Sequence, residues 1–145
     1  MDTKTHGPVP GFEPHDRKSP LTDPWEPLYR RLAGERVILG LRAADAHTNS
    51  RGFVHGGLIS ALADNAMGLS CARRLGTTGG LVTVNLSVDF LGTALQGQWL
   101  EFDTVFVKPG STLCFAQAFV TADGQPCARA SAVFRVLGDV RRSAA

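Results

Sequence analysis

Asp64 is the residue with the clearest chemical potential in this chain. It is the one charged side chain between Gly56 and Ala72, in a proline-free run of apolar and small residues. Such a run, read from Leu58 onward, predicts a helix. A helix that is apolar or small on every face is expected to lie buried. A buried carboxylate costs roughly several kcal/mol unless it is paired or hydrogen-bonded. Asp64 therefore has a partner or is kept for chemistry, and bonding to neighbouring backbone or to Asn65 stays open as the plain structural alternative. Gly57, Ser60, Ala61 and Gly68 share its face at i, i+3 and i+4 spacing. Those small residues leave room for a substrate or for the close approach of another helix. Ahead of the helix stands His55-Gly56-Gly57, where glycine lets backbone approach a ligand closely. Arg73, Arg74 and then Gly76 supply a helix stop.

The elements that must position these residues follow from patterning. Residues 1–33 form an expected N-terminal arm, rich in proline, glycine and charge up to about residue 19. A short helix is expected over residues 22–32, capped by Asp23 with Pro24 at its first position, and with Trp25, Leu28 and Leu32 on one sticky face. Glu35 to Ala44 alternates as a first strand. After the helix, Val82, Val84, Leu86, Val88 and Phe90 alternate with Thr83, Asn85, Ser87 and Asp89, which predicts a half-buried strand. Strands follow over 99–107, 113–121 and 127–137, the last two joined by the Asp123-Gly124 hairpin signal. The fold class is thus α+β: a curved antiparallel sheet of about five strands wrapped around one long helix. Residues 34–140 are expected as the main domain and 141–145 as a polar tail.

Composition narrows the function classes. With 145 residues the chain suits one domain, and 43% hydrophobic with 19% charged residues is ordinary for a soluble globular protein. A net charge of +2 is too mild to argue for nucleic acid, yet does not oppose an anionic ligand. No run reaches the length of a membrane span, and the first residues lack the apolar core of a signal peptide. Cys71, Cys114 and Cys127 fit neither a zinc pattern nor a disulfide framework, so no metal is expected and a cytoplasmic location is the default.

Asn49-x-x-Gly52-x-x-His55-Gly56-Gly57, with Leu62-Ala63-Asp64 on the helix, resembles the hotdog acyl-CoA thioesterases of the phenylacetic-acid-degradation type. The likeness continues through Thr83 to Leu91 and the Lys108-Pro109-Gly110-Ser111 turn, spanning roughly residues 34–137. One departure is Phe90-Leu91-Gly92-Thr93-Ala94, where that family usually carries a proline.

The resemblance implies hydrolysis of an acyl- or aryl-acyl-CoA to free acid and coenzyme A, without a cofactor. It implies that the Gly56 N–H polarises the thioester carbonyl, and that Asp64 serves as general base or nucleophile. Asn49 would hold the thioester or the water, Thr83 would help position that water, and His55 would shape the loop. Gly57, Lys108 and Ser111 are the substrate-binding candidates, the last two for the coenzyme A phosphates. Arg51, Arg73 and Arg74 are weaker candidates. The resemblance further implies a site formed across a homodimer, and assembly of such dimers as a homotetramer. Two other readings stand beside it. A hotdog hydratase or dehydratase needs a different acid–histidine pairing, and only His47 and His55 occur in the body. A non-catalytic acyl-CoA-binding hotdog protein is the second.

Overall fold

The computed structural model describes residues 7–77 and 79–137. The expected polar tail lies outside these residues, as do the first six of the arm. The described residues form one long α-helix against a seven-stranded sheet in which every neighbouring pair is antiparallel. The strands are β1 (Glu13–Pro14), β2 (Tyr29–Ala33), β3 (Arg36–Arg42), β4 (Leu81–Phe90), β5 (Trp99–Lys108), β6 (Leu113–Ala122) and β7 (Gln125–Val136). Their spatial order is β1-β2-β3-β5-β6-β7-β4. The helix α1 spans Gly56–Leu75 and lies in the concavity of that sheet. This is the hotdog arrangement implied by the sequence.

α1 begins and ends where its residues dictate. His55 caps it with an extended backbone, and Gly76 closes it in the left-handed conformation (φ 65°), behind Arg73 and Arg74. Leu58, Ile59, Leu62, Ala66 and Met67 pack into the core with Leu41, Leu100, Phe102 and Val120. Each fully buried leucine or isoleucine there contributes about 1.5–3 kcal/mol. Ser70 is buried in that face because it has work to do: its Oγ accepts the Val37 N–H at 3.1 Å. That bond ties the last turns of α1 to the start of β3. Burial raises the Cys71 and Cys127 thiols above their ordinary pKa, which keeps them protonated core fillers.

Three expectations need correction. The helix expected over residues 22–32 is absent; a 3-10 turn at Asp23–Trp25 is followed by β2. Pro27 forces Glu26 into extended backbone (ψ 148°), which stops the turn, and Tyr29–Ala33 then pairs with β3. Leu28 accordingly enters the core while Leu32 stands exposed. The sheet has seven strands instead of about five, because β1 and β2 extend it beyond β3. Finally, α1 is not buried on every side. Ser60, Ala61, Asp64, Asn65 and Gly68 are only half-buried, since the sheet covers one flank and leaves this small-residue flank open.

The Ser70 tether yields a direct test. Ser70→Ala leaves the buried Val37 N–H without its acceptor, and the expected loss is about 1–3 kcal/mol in a urea unfolding titration.

Candidate active site

Asp64 owes its partner to a bulge. β4 pairs with β7 in register, except that the register shifts between Thr83 and Asn85. Strict alternation would place Thr83 opposite the face shared by Leu86, Val88 and Phe90. The extra residue reverses that parity: Thr83 pairs with buried Phe134, just as Leu86 pairs with buried Ala132. Thr83 therefore faces α1, and its Oγ1 donates to Asp64 Oδ1 at 2.7 Å. A hydroxyl-to-carboxylate bond of this length is charge-assisted, and it fixes one carboxylate oxygen while leaving the other available.

The helix start is built by His55. Its Nδ1 accepts the Gly57 N–H at 2.8 Å, so that nitrogen carries no proton and Nε2 carries the ring N–H. Its own backbone N–H donates to the His47 carbonyl at 2.9 Å. His47 is buried and held on both ring nitrogens, accepting from Ala44 N–H at 2.9 Å and lying 2.8 Å from the Trp25 carbonyl. The arm, the loop and the helix start are thus one connected unit. Asn49 turns the loop with its side-chain oxygen, which accepts from Arg51 N–H at 2.9 Å and Phe53 N–H at 3.2 Å. Its amide nitrogen has no acceptor among the described residues. With the Gly57 N–H engaged by His55, the Gly56 N–H is left at the positive end of α1 with no acceptor among the described residues. Phe90 lies against Gly56, where an added Cβ would come within 3.0 Å of the ring.

A ≈ 230 Å³ cavity opens beside Asp64 and Thr83, walled by Leu39, Leu81 and Phe134 of the sheet and by His15 and Leu28 of the arm. Gly56, however, sits eight residues before Asp64 on the same helix, about 12 Å away along its axis. One chain therefore brings Asp64 and Thr83 together, and separately His55, Gly56 and Gly57, but does not join the two groups. Lys108 and Ser111 are exposed at the β5–β6 turn, away from the Asp64 cavity. Lys108 lines a different groove on the outer sheet face, with Asn85, Phe106 and Phe115. Arg74 pairs with Glu35 at 3.3 Å and Arg51 lies over the Phe53 ring at 5.5 Å, both contacts of the protein surface.

The sequence matches the thioesterase superfamily over residues 51–128, more than half of the chain. The chain belongs to the thioesterase superfamily. It is 39% identical over 127 residues to a Pseudomonas aeruginosa protein that carries an esterase name, spanning 87% of this chain and 95% of the relative. It is 31% identical over 115 residues to mouse acyl-coenzyme A thioesterase 13, covering 78% of this chain and 74% of that protein. Among solved structures, a Streptococcus mutans protein bound to acetyl CoA is 31% identical with a TM-score of 0.65, over 72% of this chain and 82% of that one.

Two features of this thioesterase escaped sequence reasoning. Thr83 was a candidate there without its geometry, because a bulge depends on the partner strand. The arm residues that wall the cavity, His15 above all, left no signal: a histidine between Pro14 and Asp16 reads as a solvated turn. For His55 the geometry predicts a capping role separable from proton transfer. His55→Ala should lower stability by about 0.5–2 kcal/mol in thermal or urea unfolding, and His55→Asn, itself a strong N-cap, should restore most of it.

Proposed function

We propose that this chain hydrolyses acyl-CoA thioesters to the free acid and coenzyme A, at two equivalent sites each shared by a pair of chains. The observation that carries the reading is the arrangement on α1. An unengaged N–H at the helix start and a threonine-held carboxylate share one helix about 12 Å apart, too far to meet at a single carbonyl carbon. Two copies related by a two-fold axis would bring the Gly56 end of one helix to the Asp64 of the other. β4 supports that pairing: it is a sheet edge, and Val82, Val84 and Leu86 on it stay exposed. Edge pairing between two copies of β4 would cover them. The outer sheet face carries exposed apolar side chains, among them Phe106, Phe115 and Phe119, which supports a further association of dimers into a tetramer.

In this site the Gly56 N–H donates to the developing oxyanion, with the helix N-terminus adding its positive potential. Asp64, its first oxygen fixed by Thr83, takes a proton on the second from the attacking water. The new C–O bond forms, the C–S bond breaks, and the proton passes to the departing thiolate. The amide nitrogen of Asn49 is available to hold the thioester or the water. Gly57 contributes space beside His55, while Lys108 and Ser111 are the positions from which the turn would meet coenzyme A phosphates. Acetyl CoA on the streptococcal neighbour and the acyl-CoA thioesterase name of the mouse relative support the substrate class. The buried, protonated thiols suit a reducing compartment, and we place the protein in the cytoplasm on that ground.

Two measurements test the proposal. Thiol release from a panel of acyl-CoAs should fall about a hundredfold or more in Asp64→Asn, and about tenfold in Thr83→Val. Equal rates in Asp64→Asn would remove Asp64 from the chemistry. Gly56→Pro deletes the candidate donor at a helix position that tolerates proline. Co-expressed with Asp64→Asn, it should recover about a quarter of the parental activity, since half of randomly mixed dimers are mixed and each holds one intact site of two. A mixture as inactive as either variant alone would show that both groups serve one chain.

A further inference from the structure

The arm that leads into β2 is held on both faces of the sheet. Trp99 alternates with the core residue Leu100 and so faces outward, yet it is only 4% exposed. The arm covers it. Phe12 meets the Trp99 ring edge-on with centroids 5.0 Å apart, and Tyr29 lies tilted against the same ring at 5.8 Å. Gly40 makes the space: a Cβ there would come within 2.4 Å of Trp99 and 2.9 Å of Phe12. The Arg42 guanidinium stands over the indole at 5.2 Å and donates to the Gly7 carbonyl at 3.1 Å. From Phe12 the chain runs through β1, at the sheet edge, to the opposite face. There His15, Arg17, Ser19 and Thr22 line the cavity that also holds Asp64 and Thr83. A second anchor lies past the cavity, where His47 Nε2 is 2.8 Å from the Trp25 carbonyl. The span between the anchors is stiff. Ser19 Oγ accepts the Thr22 N–H at 3.2 Å, the Ser19 carbonyl accepts the Asp23 N–H at 2.9 Å, and Lys18 pairs with Glu26 at 3.0 Å.

We infer that Phe12 is a positioning residue for acyl selection: seated on Trp99 at the outer face, it fixes the arm as a roof over the cavity on the inner face, and that roof excludes the bulkiest acyl groups. The inference rests on the acyl-CoA reading of this site. The other walls of the cavity cannot give way cheaply. Leu39 and Phe134 belong to the core, and Asp64 and Gly68 stand on a helix clamped by it. The arm is the wall that can yield, and what holds its leading end decides whether it does. β1 is two residues long, and the carboxylates of Glu13 and Asp16 that pair with Arg30 are exposed, so both attachments are weak. The ring of Phe12 on Trp99 is the apolar attachment. Phe12 does not line the cavity, so its effect on the substrate passes through the arm.

The experiment uses S-alkyl-CoA thioethers, which cannot be hydrolysed, with alkyl groups that widen from ethyl through cyclohexyl to naphthylmethyl. Calorimetry reads their binding to the full chain. The parent should bind the narrow members and lose affinity at the bulkiest. In Phe12→Ala the ratio of bulky to narrow affinity should rise about fivefold or more, because a loosened arm yields to the bulky group and packs less well on the narrow one. Phe12→Tyr, which keeps the ring, should keep the parental ratio. A merely structural role would weaken every thioether alike and leave the ratio unmoved. Trypsin, followed by mass spectrometry, reads the arm itself: cleavage after Arg17 or Lys18 should be about tenfold faster in Phe12→Ala than in the parent. Should Phe12→Ala fail to fold, Phe12→Val carries the same test with a smaller loss of packing. The inference is overturned by a parent that does not select by bulk, by an unchanged or lower ratio in Phe12→Ala or Phe12→Val, by the same shift in Phe12→Tyr, or by equal cleavage rates. Thiol release from the matching thioesters is read in parallel. Its absence would sink the hydrolase reading alone, because the thioether ratios report on the arm whether or not the ester is cleaved.

Discussion

The hydrogen bond from Thr83 to Asp64 is the contact on which the proposed chemistry depends. It joins a helix to the edge strand of the sheet, across a flank that no other layer covers. A carboxylate on a bare helix flank would swing among rotamers and be solvated from all sides. Held at 2.7 Å by a hydroxyl from the strand, it has one defined oxygen and one free oxygen. Everything around it is arranged to keep that strand and that helix in fixed relation. The core clamps the opposite flank of α1 through Leu62, Ala66 and Met67, and Ser70 ties its far end to β3.

Much of this was legible in the residues alone. The bounds of α1 follow from His55 and Gly76, one with a side chain that can cap and the other free to adopt positive φ. The β6–β7 hairpin follows from Asp123 and Gly124, both with positive φ. The motif from Asn49 to Asp64 pointed to the family before any geometry was known. Two things were hidden for physical reasons. A strand's parity can be read from its own sequence only while its pairing is regular, and the Thr83/Asn85 shift belongs to β4 and β7 jointly. Whether Tyr29–Ala33 is a helix or a strand is decided by β3, its pairing partner, and not by its own propensity.

The exposed apolar residues of β4 carry a similar lesson. Val82, Val84 and Leu86 alternate in the sequence as one face of a strand does, yet the bulge puts Val82 on the face opposite Leu86, and the single chain leaves all three exposed. Alternation records that a surface is covered, and says nothing of which chain covers it. The same ambiguity surrounds Asp64. Its isolation on an apolar helix suggested an enclosed site, whereas one chain builds only a half-open one. Where a sequence pattern asks for cover that one chain does not supply, the uncovered patches are where the proposed second copy would sit.

The two margins of the sheet are unlike. One ends in β1, two residues long and containing Pro14, which lacks the N–H that a further strand would need. The other ends in β4, ten residues long. A sheet with two sticky margins could add chains without limit and grow into a fibre. With one margin blunted, the proposed edge pairing would use up the one long open margin among the described residues at the first encounter, and growth along that direction would terminate at two.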